Sequence, residues 1–333
     1  MGTMSIRPTE LTVSALIPTY NCAHLICDAI ESVFAQTRPP DEVIVVDDAS
    51  TDQTEQVLRR YGDRIRYLRL EQNQTPPGAR NAGLKMARHP WILFLDSDDL
   101  LIETHLADAC RILEANPSLV WAAGLTLTQR SLHGPLEPIV SQELVEASVN
   151  AEEVVEDYFA AGASGLAAAI CGFVIRKDIL EEMGGFDPTL PHGSDNDMWW
   201  KIACAYPPIG LVRKPGYIYR RLRDDSTTVT YRKDYAGFCD LLERHLALTQ
   251  KAGRRHAYEK VAQRIVDSIA YGTFYDDEVA VLRRIAKRHA RLLSSGRRLP
   301  IQLAALLPGP GRALLRYLLQ LRLNILGRSS AQA

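Results

Sequence analysis

The sequence predicts an α/β protein with a mostly parallel central sheet, followed by a helical extension at the C-terminus. Short apolar segments alternate with amphipathic ones four times within the first hundred residues. This alternation is typical of right-handed βαβ units. From about residue 233 onward the pattern is entirely helical. We therefore predict two domains, at residues 10–232 and 233–333.

Four strands and three intervening helices follow from the hydrophobic pattern of the first hundred residues. The strands are apolar or alternating runs at residues 12–18, 42–48, 64–70 and 91–95. Two helices are predicted from apolar spacing and from an initiating proline, at residues 23–36 and 76–87. Asp52 followed by Glu55 predicts a capping pair for a third helix, through Leu58.

The second hundred residues are less regular in their pattern. Residues 124–162 are polar and irregular in pattern. Residues 164–180 predict a buried strand followed by a helix, and residues 184–190 form a loop that opens with two glycines. Glycine permits backbone geometry that a Cβ atom would block, which suits close approach to a ligand.

Composition places the chain among ordinary globular proteins. It has 333 residues, of which 46% are hydrophobic and 24% charged. Its six cysteines form no CxxC pair, so neither a zinc ribbon nor a disulfide scaffold is indicated. The first ten residues contain no apolar secretion signal. We therefore expect a cytoplasmic protein with reduced thiols.

Charge is distributed unevenly along the chain. Residues 279–333 carry +11 without any acid, whereas residues 1–278 carry −12. Such a split indicates a charged partner. Because no apolar run approaches the roughly 20 residues that span a bilayer, a peripheral contact with an anionic membrane is expected. The alternative is that the C-terminal leucines pack on the first domain or on a second copy, forming a homo-oligomer.

One polar stripe in the last predicted helix bears on this choice. Residues Arg312, Arg316, Gln320 and Asn324 recur every four positions among leucines. The stripe suits either an interfacial helix on anionic lipid or a helix packed on protein. Nucleic acid is not an expected partner, because the tail lacks interleaved aromatic residues and the rest of the chain is acidic.

Carboxylates follow the fourth strand, in the segment LFLDSDD at residues 93–99. The segments PTYN at 18–21 and DDAS at 47–50 follow two other strands, so all three meet at one edge of a parallel sheet, where such sheets bind ligands. Clustered acids repel unless a cation lies among them, and Mg²⁺ or Mn²⁺ prefers oxygen ligands. The sequence therefore predicts a divalent metal that bridges to a phosphate-bearing ligand.

Capping is the alternative role for these acids. Asp96, Asp98 and Asp99 would then be an N-cap cluster for a helix at residues 102–115. For Asp47 and Asp52 we prefer such a turn or capping role. Three acids where one would cap make the capping interpretation less favoured for the DSDD segment.

Six blocks in order resemble glycosyltransferase family 2, a family of inverting enzymes with the GT-A nucleotide-sugar-binding fold. The blocks are VSALIPTYN, VIVVDDASTD, GARNAGLKMA, ILFLDSDD, GGFDPTL and SDNDMWWKI. They cover roughly residues 12–230. Their order and spacing make the resemblance more specific than a single DxD motif.

The resemblance implies a role for each matching residue. The nucleotide-binding residues would be Pro18, Tyr20, Asp48, Arg80 and Asp96. Asp98 would be the metal ligand that joins Mg²⁺ or Mn²⁺ to the donor diphosphate. The role of Asp99 is left open.

The same resemblance implies a catalytic base in SDNDMWWKI. Asp195 would remove the proton of the acceptor hydroxyl, although Ser194 stands where the family more often has Glu. The residues alone do not separate Asp195 from Asp197. Trp199 and Trp200 would point about 100° apart on a helix, so we expect one in the core and the other facing the acceptor.

The basic segment at residues 216–232 resembles the strand and flexible loop that often cover the donor diphosphate in the family. Leu222 and Arg223 stand where the family frequently has a His. Arg220, Arg221 or Arg223 would supply the positive charge instead, unless the segment is only a solvated basic loop.

The resemblance implies an inverting glycosyltransferase that moves a sugar from a nucleoside-diphosphate sugar to a carbohydrate or lipid-linked acceptor hydroxyl, in cell-envelope polysaccharide or glycolipid synthesis. A sugar nucleotidyltransferase would need a glycine-rich basic loop where this chain has PTYNCAH. A non-catalytic nucleotide-sugar-binding protein remains the other alternative. A Rossmann dehydrogenase is not favoured, because no GxGxxG follows the first strand.

Overall fold

A computed structural model describes residues 11–166, 170–190, 192–222, 235–276 and 278–317. The chain divides into two compact units, residues 1–227 and 228–333. The first unit contains the sheet. The described part of the second contains helices.

Ten strands form one sheet in the described part of the first unit. They are β1 Val13–Thr19, β2 Glu42–Asp47, β3 Arg66–Arg69, β4 Trp91–Phe94, β5 Leu100–Leu101, β6 Trp121–Gln129, β7 Leu136–Pro138, β8 Val154–Val155, β9 Ile170–Arg176 and β10 Ile209–Arg220. The order along the sheet is β3-β2-β1-β4-β9-β6-β10-β5, with β7 paired to β6 and β8 to β10.

Helices connect these strands and form the described part of the second unit. Those of the first unit are α1 Ile26–Phe34, α2 Thr54–Leu58, α3 Thr75–Met86, α4 His105–Ala115, α5 Gln142–Ser148, α6 Tyr158–Ser164, α7 Lys177–Glu182 and α8 Ser194–Ala205. Those of the second unit are α9 Tyr235–Lys251, α10 Arg255–Tyr275, α11 Val279–Arg288 and α12 Ser295–Leu306. Residues 309–317 are also helical.

The first four long strands form the predicted parallel half of the sheet. β3, β2, β1 and β4 pair in parallel, joined by α1, α2 and α3. The next strand, β9, runs antiparallel to both β4 and β6, and β6 and β10 are again parallel to each other. The sheet is therefore mixed, and its carboxyl edge lies beyond β1, β2 and β4.

Burial explains why β1 and β2 are so strongly apolar. Every residue of both strands is buried, which requires near-continuous hydrophobic sequence because helices cover both faces of such a sheet. α1 is amphipathic and buries Ile26, Ala29, Ile30 and Val33 against this sheet. The core of the first unit extends from these residues to Tyr217 in β10.

Residues 124–162 are more regular than the sequence predicts. They include most of β6, the short strands β7 and β8, and the helices α5 and α6. The prediction of an irregular segment is wrong here. β6 lies between β9 and β10, which supply its backbone hydrogen bonds, and the mixed sequence AAGLTLTQ does not by itself predict this pairing.

The predicted capping pair at the start of α2 is also wrong. The N-cap residue is Gln53, one position later than expected, and it makes no side-chain capping bond. Asp52 accepts hydrogen bonds from the backbone N–H and hydroxyl of Thr54 at 2.9 and 2.5 Å. Glu55 forms ion pairs with Arg59 and Arg69 instead.

The cysteines are free thiols, as expected. All six lie in the described residues, and none forms a disulfide. Within the described residues, no helix is both long and apolar enough to cross a membrane.

Candidate active site

The polar segments after β1 and β2 are bound to each other at the carboxyl edge of the sheet. The Asp48 N–H donates to the carbonyl of Thr19 at 2.8 Å. Asn21 accepts from the N–H of Thr51 at 2.7 Å, and its own N–H donates to the Ser50 hydroxyl at 2.9 Å. Asn21 thus holds the DDAS loop in place, a role that the sequence reasoning did not assign.

Backbone strain is concentrated at this edge. Asn21, Ala49 and Thr75 have φ values of 47°, 62° and 62°, in the left-handed region that side chains with a Cβ rarely adopt. Each lies in or directly after a loop at the carboxyl end of β1, β2 or β3. Such strain persists where surrounding contacts over-determine the backbone, and it clusters at binding sites.

The adjacent acids Asp47 and Asp48 have different environments. Asp47 is fully buried and accepts from the Ser50 N–H at 2.8 Å, the Tyr67 hydroxyl at 2.9 Å and Arg69 at 3.1 Å. It therefore supports the loop, in line with the turn role that we prefer for it. Asp48 accepts from the Gln74 N–H at 2.6 Å, and burial is the main cause that raises its pKa.

Near Asp48, β1 contributes Pro18 and the exposed ring of Tyr20. Pro18 is buried within the strand, whereas the side chain of Tyr20 is 43% exposed just beyond it. The edge thus carries a buried carboxylate close to an open aromatic ring. This combination can hydrogen-bond and stack a planar ligand.

Arg80 of α3 connects the acids of the site. Its guanidinium donates to Asp96 at 2.8 Å and lies 5.5 Å from the centre of the Phe186 ring. Burial opposes the positive charge, but the charges of Asp96 and Asp195 outweigh it and raise the pKa of Arg80. Arg80 therefore stays cationic and lies within electrostatic reach of both acids.

The three acids of DSDD have three environments. Asp96 pairs with Arg80. Asp99 is buried and accepts from the Tyr217 hydroxyl at 2.6 Å and from the Arg220 N–H at 2.8 Å. Burial, together with the nearby charges of Asp98 and Asp96, raises the pKa of Asp99 well above its ordinary value. Asp98 is only partly buried.

The capping interpretation of the DSDD segment is excluded by the position of the next helix. α4 begins at His105, and its N-cap residue is Thr104. The two-residue strand β5 separates this helix from Asp99. The acids therefore have no helix terminus to cap.

Asp195 and Asp197 lie in the first turn of α8 and differ in accessibility. Asp197 is fully buried and forms an ion pair with Lys201 at 2.7 Å. Asp195 is partly exposed, and its carboxylate accepts from the Asn196 N–H at 2.8 Å. The preceding Gly193 has φ 78°, which permits the sharp entry into the helix.

Comparison with known proteins identifies the family. The glycosyl transferase family 2 model matches residues 14–132. The succinoglycan biosynthesis protein ExoO of Rhizobium meliloti is 47% identical over 270 residues, covering 76% of this chain and 71% of ExoO. The chain belongs to glycosyltransferase family 2.

A further relative and a solved structure extend the comparison. An uncharacterized glycosyltransferase of Rickettsia prowazekii is 28% identical over 194 residues, and the match covers 57% of this chain but only 58% of that relative. The structure of TarS 1–349 from S. aureus in complex with UDP-GlcNAc matches with a TM-score of 0.67 at 20% identity, over 88% of this chain and 87% of that one. The predicted GT-A fold, with helices after it, is thereby confirmed.

In this glycosyltransferase both tryptophans of α8 are buried. Trp199 packs against Phe173 with ring centres 4.4 Å apart and against Phe94 and Phe186 at 5.9 and 6.0 Å. Trp200 is 2% exposed. The expectation that one of them faces an acceptor is not met, because both side chains are buried.

Of the three arginines expected to reach a diphosphate, Arg220 differs from the prediction. Arg220 is buried and donates to Asp28 at 2.8 Å and to the backbone carbonyl of Asp98. Asp28 already pairs with its charge. Its bond to the Asp98 carbonyl holds the acidic loop in place. Arg221 is exposed, and Arg223 lies outside the described residues.

Asn81 connects α3 to the loop that precedes α8. Its side chain donates to the Phe186 carbonyl at 2.7 Å and accepts from the Phe186 N–H at 2.8 Å. A Cβ on Gly185 would come within 2.8 Å of the Asn81 side-chain oxygen. The glycines of GGFDPTL thus allow close approach to Asn81, where the sequence predicted approach to a ligand.

The acids at this edge are compatible with a divalent metal that takes few protein ligands. Among the described residues, no group of three or more His, Cys, Asp or Glu side chains could hold a metal on its own. A partly exposed carboxylate such as Asp98 is a hard oxygen donor of the kind that Mg²⁺ uses singly, with water and substrate phosphate completing the shell. The site fits a metal that arrives with its phosphate ligand.

Proposed function

We propose that this family 2 enzyme transfers a sugar from a nucleoside-diphosphate sugar to an acceptor hydroxyl with inversion, using Asp195 as the general base. The observation that carries the proposal is the position of Arg80, whose guanidinium pairs with Asp96 and lies within electrostatic reach of Asp195. One cation thereby links the proposed donor side to the proposed base. Asp197 is less suitable as a base because it is buried against Lys201.

The nucleotide would bind at the carboxyl ends of β1, β2 and β4. Tyr20 offers an open ring for stacking on the base, and the buried Pro18 lies two positions earlier, in β1. Asp48 and Asp96 would accept hydrogen bonds from the base and ribose, beside Arg80. The complex of TarS with UDP-GlcNAc supports a uridine diphosphate donor as the first choice to test.

Asp98 would hold a Mg²⁺ or Mn²⁺ ion, which would neutralise charge on the donor diphosphate. The buried contacts of Asp99 with Tyr217 and Arg220 support this role, because they fix the neighbouring residue in place. Arg220 adds a bond to the Asp98 carbonyl. Asp99 and Arg220 are therefore positioning residues for Asp98.

The chemical step needs one protein base. Asp195 would take the proton of the acceptor hydroxyl while the oxygen attacks the anomeric carbon, and the nucleoside diphosphate would leave with the electrons of the broken bond. Partial exposure keeps the carboxylate within reach of an incoming acceptor.

The acceptor would be a carbohydrate or lipid-linked intermediate of an envelope polysaccharide. ExoO, named for succinoglycan biosynthesis, supports this class. Residues 10–232 would form the catalytic domain, and the basic extension at 233–333 would hold the enzyme at an anionic membrane surface, where lipid-linked acceptors are found.

Incubation of the full-length protein with a panel of nucleotide sugars and Mn²⁺ tests the activity. We expect release of nucleoside diphosphate from one donor, with an increase when acceptor extracts are added, and loss of release with EDTA. Binding of a nucleotide sugar without any turnover would instead indicate a non-catalytic binding protein. Formation of pyrophosphate from sugar phosphate and nucleoside triphosphate would indicate a nucleotidyltransferase.

A further inference from the structure

Exposed apolar side chains are concentrated near the end of the described chain. Five of the eleven large hydrophobic residues that are exposed in the described residues lie between positions 299 and 317. Three of them, Leu299, Leu303 and Leu306, follow one another along a single face of α12, and Leu306 is 81% exposed. Scattered exposed leucines are normal on a protein surface, but a row of this kind marks an interaction site.

The next helix along the chain contributes two arginines that turn away from solvent. Arg312 donates to the Leu307 carbonyl at 2.6 Å, and Arg316 donates to the Phe274 carbonyl at 2.8 Å. Leu314 and Tyr317 of the same helix are exposed instead, at 59% and 62%. The predicted polar stripe therefore faces protein in its described part, and the apolar side faces outward. A surface helix in water normally has the opposite arrangement, with its polar side facing solvent and its apolar side facing protein.

Cations lie beside this apolar row. Arg283, Arg284, Lys287 and Arg288 of α11 line an open cavity of ≈ 320 Å³. Arg284 pairs with Asp240, whereas Lys287 and Arg288 form no ion pair with any described residue. α11 itself contains no acid. This side of α11 therefore concentrates positive charge.

A direct contact places the cationic and apolar surfaces next to each other. The Arg283 side chain donates through Nε to the carbonyl of Ala305 at 3.0 Å, one residue before the exposed Leu306. The cationic side of α11 thus borders the exposed end of α12. Anionic headgroups above a hydrocarbon layer are complementary to such a pair of surfaces.

We propose that this surface, the C-terminal docking face, binds an anionic lipid bilayer. It consists of the exposed residues Leu299, Leu303, Leu306, Leu314 and Tyr317 and the cations Arg283, Lys287 and Arg288. Leucines and Tyr317 enter the headgroup boundary, and lipid phosphates contact the exposed cations of α11. The proposal deepens the membrane attachment proposed above but does not depend on sugar transfer.

Two other occupants fit the surface less well. In a symmetric dimer the same face would meet itself and bring the cations of both copies together, which is unfavourable. A soluble polyanion such as nucleic acid would leave the row of leucines in water. A lipid surface is complementary to both the charge and the apolar row.

Co-sedimentation of the full-length protein with vesicles tests the proposal. Vesicles of phosphatidylcholine alone are compared with vesicles that contain 30% phosphatidylglycerol as roughly a physiological share of anionic lipid. We expect binding only to the anionic vesicles, with a decrease as salt rises. Lys287→Glu combined with Arg288→Glu should weaken binding by about 25-fold or more, since each cation near the surface contributes about fivefold.

Leu303→Ser combined with Leu306→Ser should weaken binding by about tenfold or more without altering its salt dependence. Arg59→Glu with Arg60→Glu is the matched control, because it makes the same charge change on exposed residues of the first unit. Leu132→Ser is the control for an exposed leucine. The helical circular dichroism spectrum of every variant should match that of the unaltered protein.

Three results would overturn the proposal. The first is equal binding to neutral and anionic vesicles, and the second is equal weakening by the control pair. The third is a concentration-dependent dimer in sedimentation that the leucine variants abolish while vesicle binding is absent, which would make the face a contact between two copies. None of these measurements uses a sugar donor, so their outcome is independent of the catalytic proposal.

Discussion

At the scale of single residues, strand geometry assigns different tasks to neighbouring acids. Successive side chains of a strand point to opposite faces, so Asp47 at the end of β2 and Asp48 directly after it have different surroundings. Asp47 is satisfied by Ser50, Tyr67 and Arg69. Burial is the main cause that raises the pKa of Asp48. A hydrogen bond donated by a ligand would stabilise the charged form of such a buried carboxylate.

Replacement of Asp48 tests its role in nucleotide binding. Asp48→Ala should weaken nucleoside diphosphate binding by about 1.5 to 3 kcal/mol, the usual loss for a hydrogen bond to a charged group. Isothermal titration calorimetry measures the change, with the exposed Asp63→Ala as control. Unchanged affinity in a folded Asp48→Ala variant would show that Asp48 does not bind the nucleotide and serves only in its contact with Gln74.

Replacement of Asp195 tests the base. Asp195→Asn keeps the size of the side chain but removes the proton acceptor, so turnover should fall by about 10² to 10⁴ while donor affinity stays nearly constant. Asp197→Asn should chiefly lower stability, because it breaks the buried pair with Lys201. If instead turnover survives in Asp195→Asn and fails in a folded Asp197→Asn, the roles are reversed.

Some residues of the site can be predicted from the sequence, and others cannot. Asp48, Asp96 and Asp98 follow strands whose apolar pattern is clear, so their common edge is predictable. Asn21 and Asn81 form hydrogen bonds with segments 30 and 105 positions away along the chain. No local sequence pattern predicts such contacts. The burial of Trp200 likewise depends on what packs beneath α8.

At the scale of elements, the predictable ones are those with strong local signals. β1 to β4 and α1 to α3 lie within three residues of their predicted limits, because continuous apolar runs and the prolines of α3 mark them. β6 is not predictable in the same way. Its regularity depends on β9 and β10, which are 41 or more residues later in the chain.

Glu42 at the start of β2 shows how side chains join separate strands. It accepts from the Ser14 hydroxyl of β1 at 2.7 Å and pairs with Arg66 of β3. The Arg88 N–H donates to it as well, at 3.1 Å. Burial raises the pKa of Glu42, but these hydrogen bonds outweigh burial and lower it below the ordinary 4.5.

The lowered pKa gives a pH-dependent prediction for stability. The stabilisation is fully present above pH 4.5 and is lost as the pH falls through the lower value of the folded state. Glu42→Gln should therefore cost about 1.5 to 3 kcal/mol in the free energy of unfolding at pH 7 and progressively less below pH 4.5. Urea titrations across this pH range measure the difference, with the exposed Glu71→Gln as control. A cost that does not vary with pH would contradict the ionic role.

At the scale of the whole molecule, the two compact units have separate interiors. The first is built around the sheet, with a core from Val13 to Tyr217. The second buries residues of its own helices, among them Leu242, Tyr258 and Phe274. All of the proposed nucleotide and metal ligands lie in the first unit, whereas the proposed docking face lies in the second.

This division predicts that a nucleotide ligand stabilises one unit selectively. At 100 times its dissociation constant, a ligand adds about 2.7 kcal/mol to the stability of the state that binds it, which for a unit of this size raises Tm by about 5 to 10 °C. Calorimetry should show two transitions, of which nucleoside diphosphate with Mn²⁺ raises only that of the first unit. Asp98→Ala or EDTA should remove most of the shift, because the diphosphate would then bind without its cation. The same shift in the presence and absence of metal would refute the role of Asp98, and a shift of both transitions together would show that the units unfold as one.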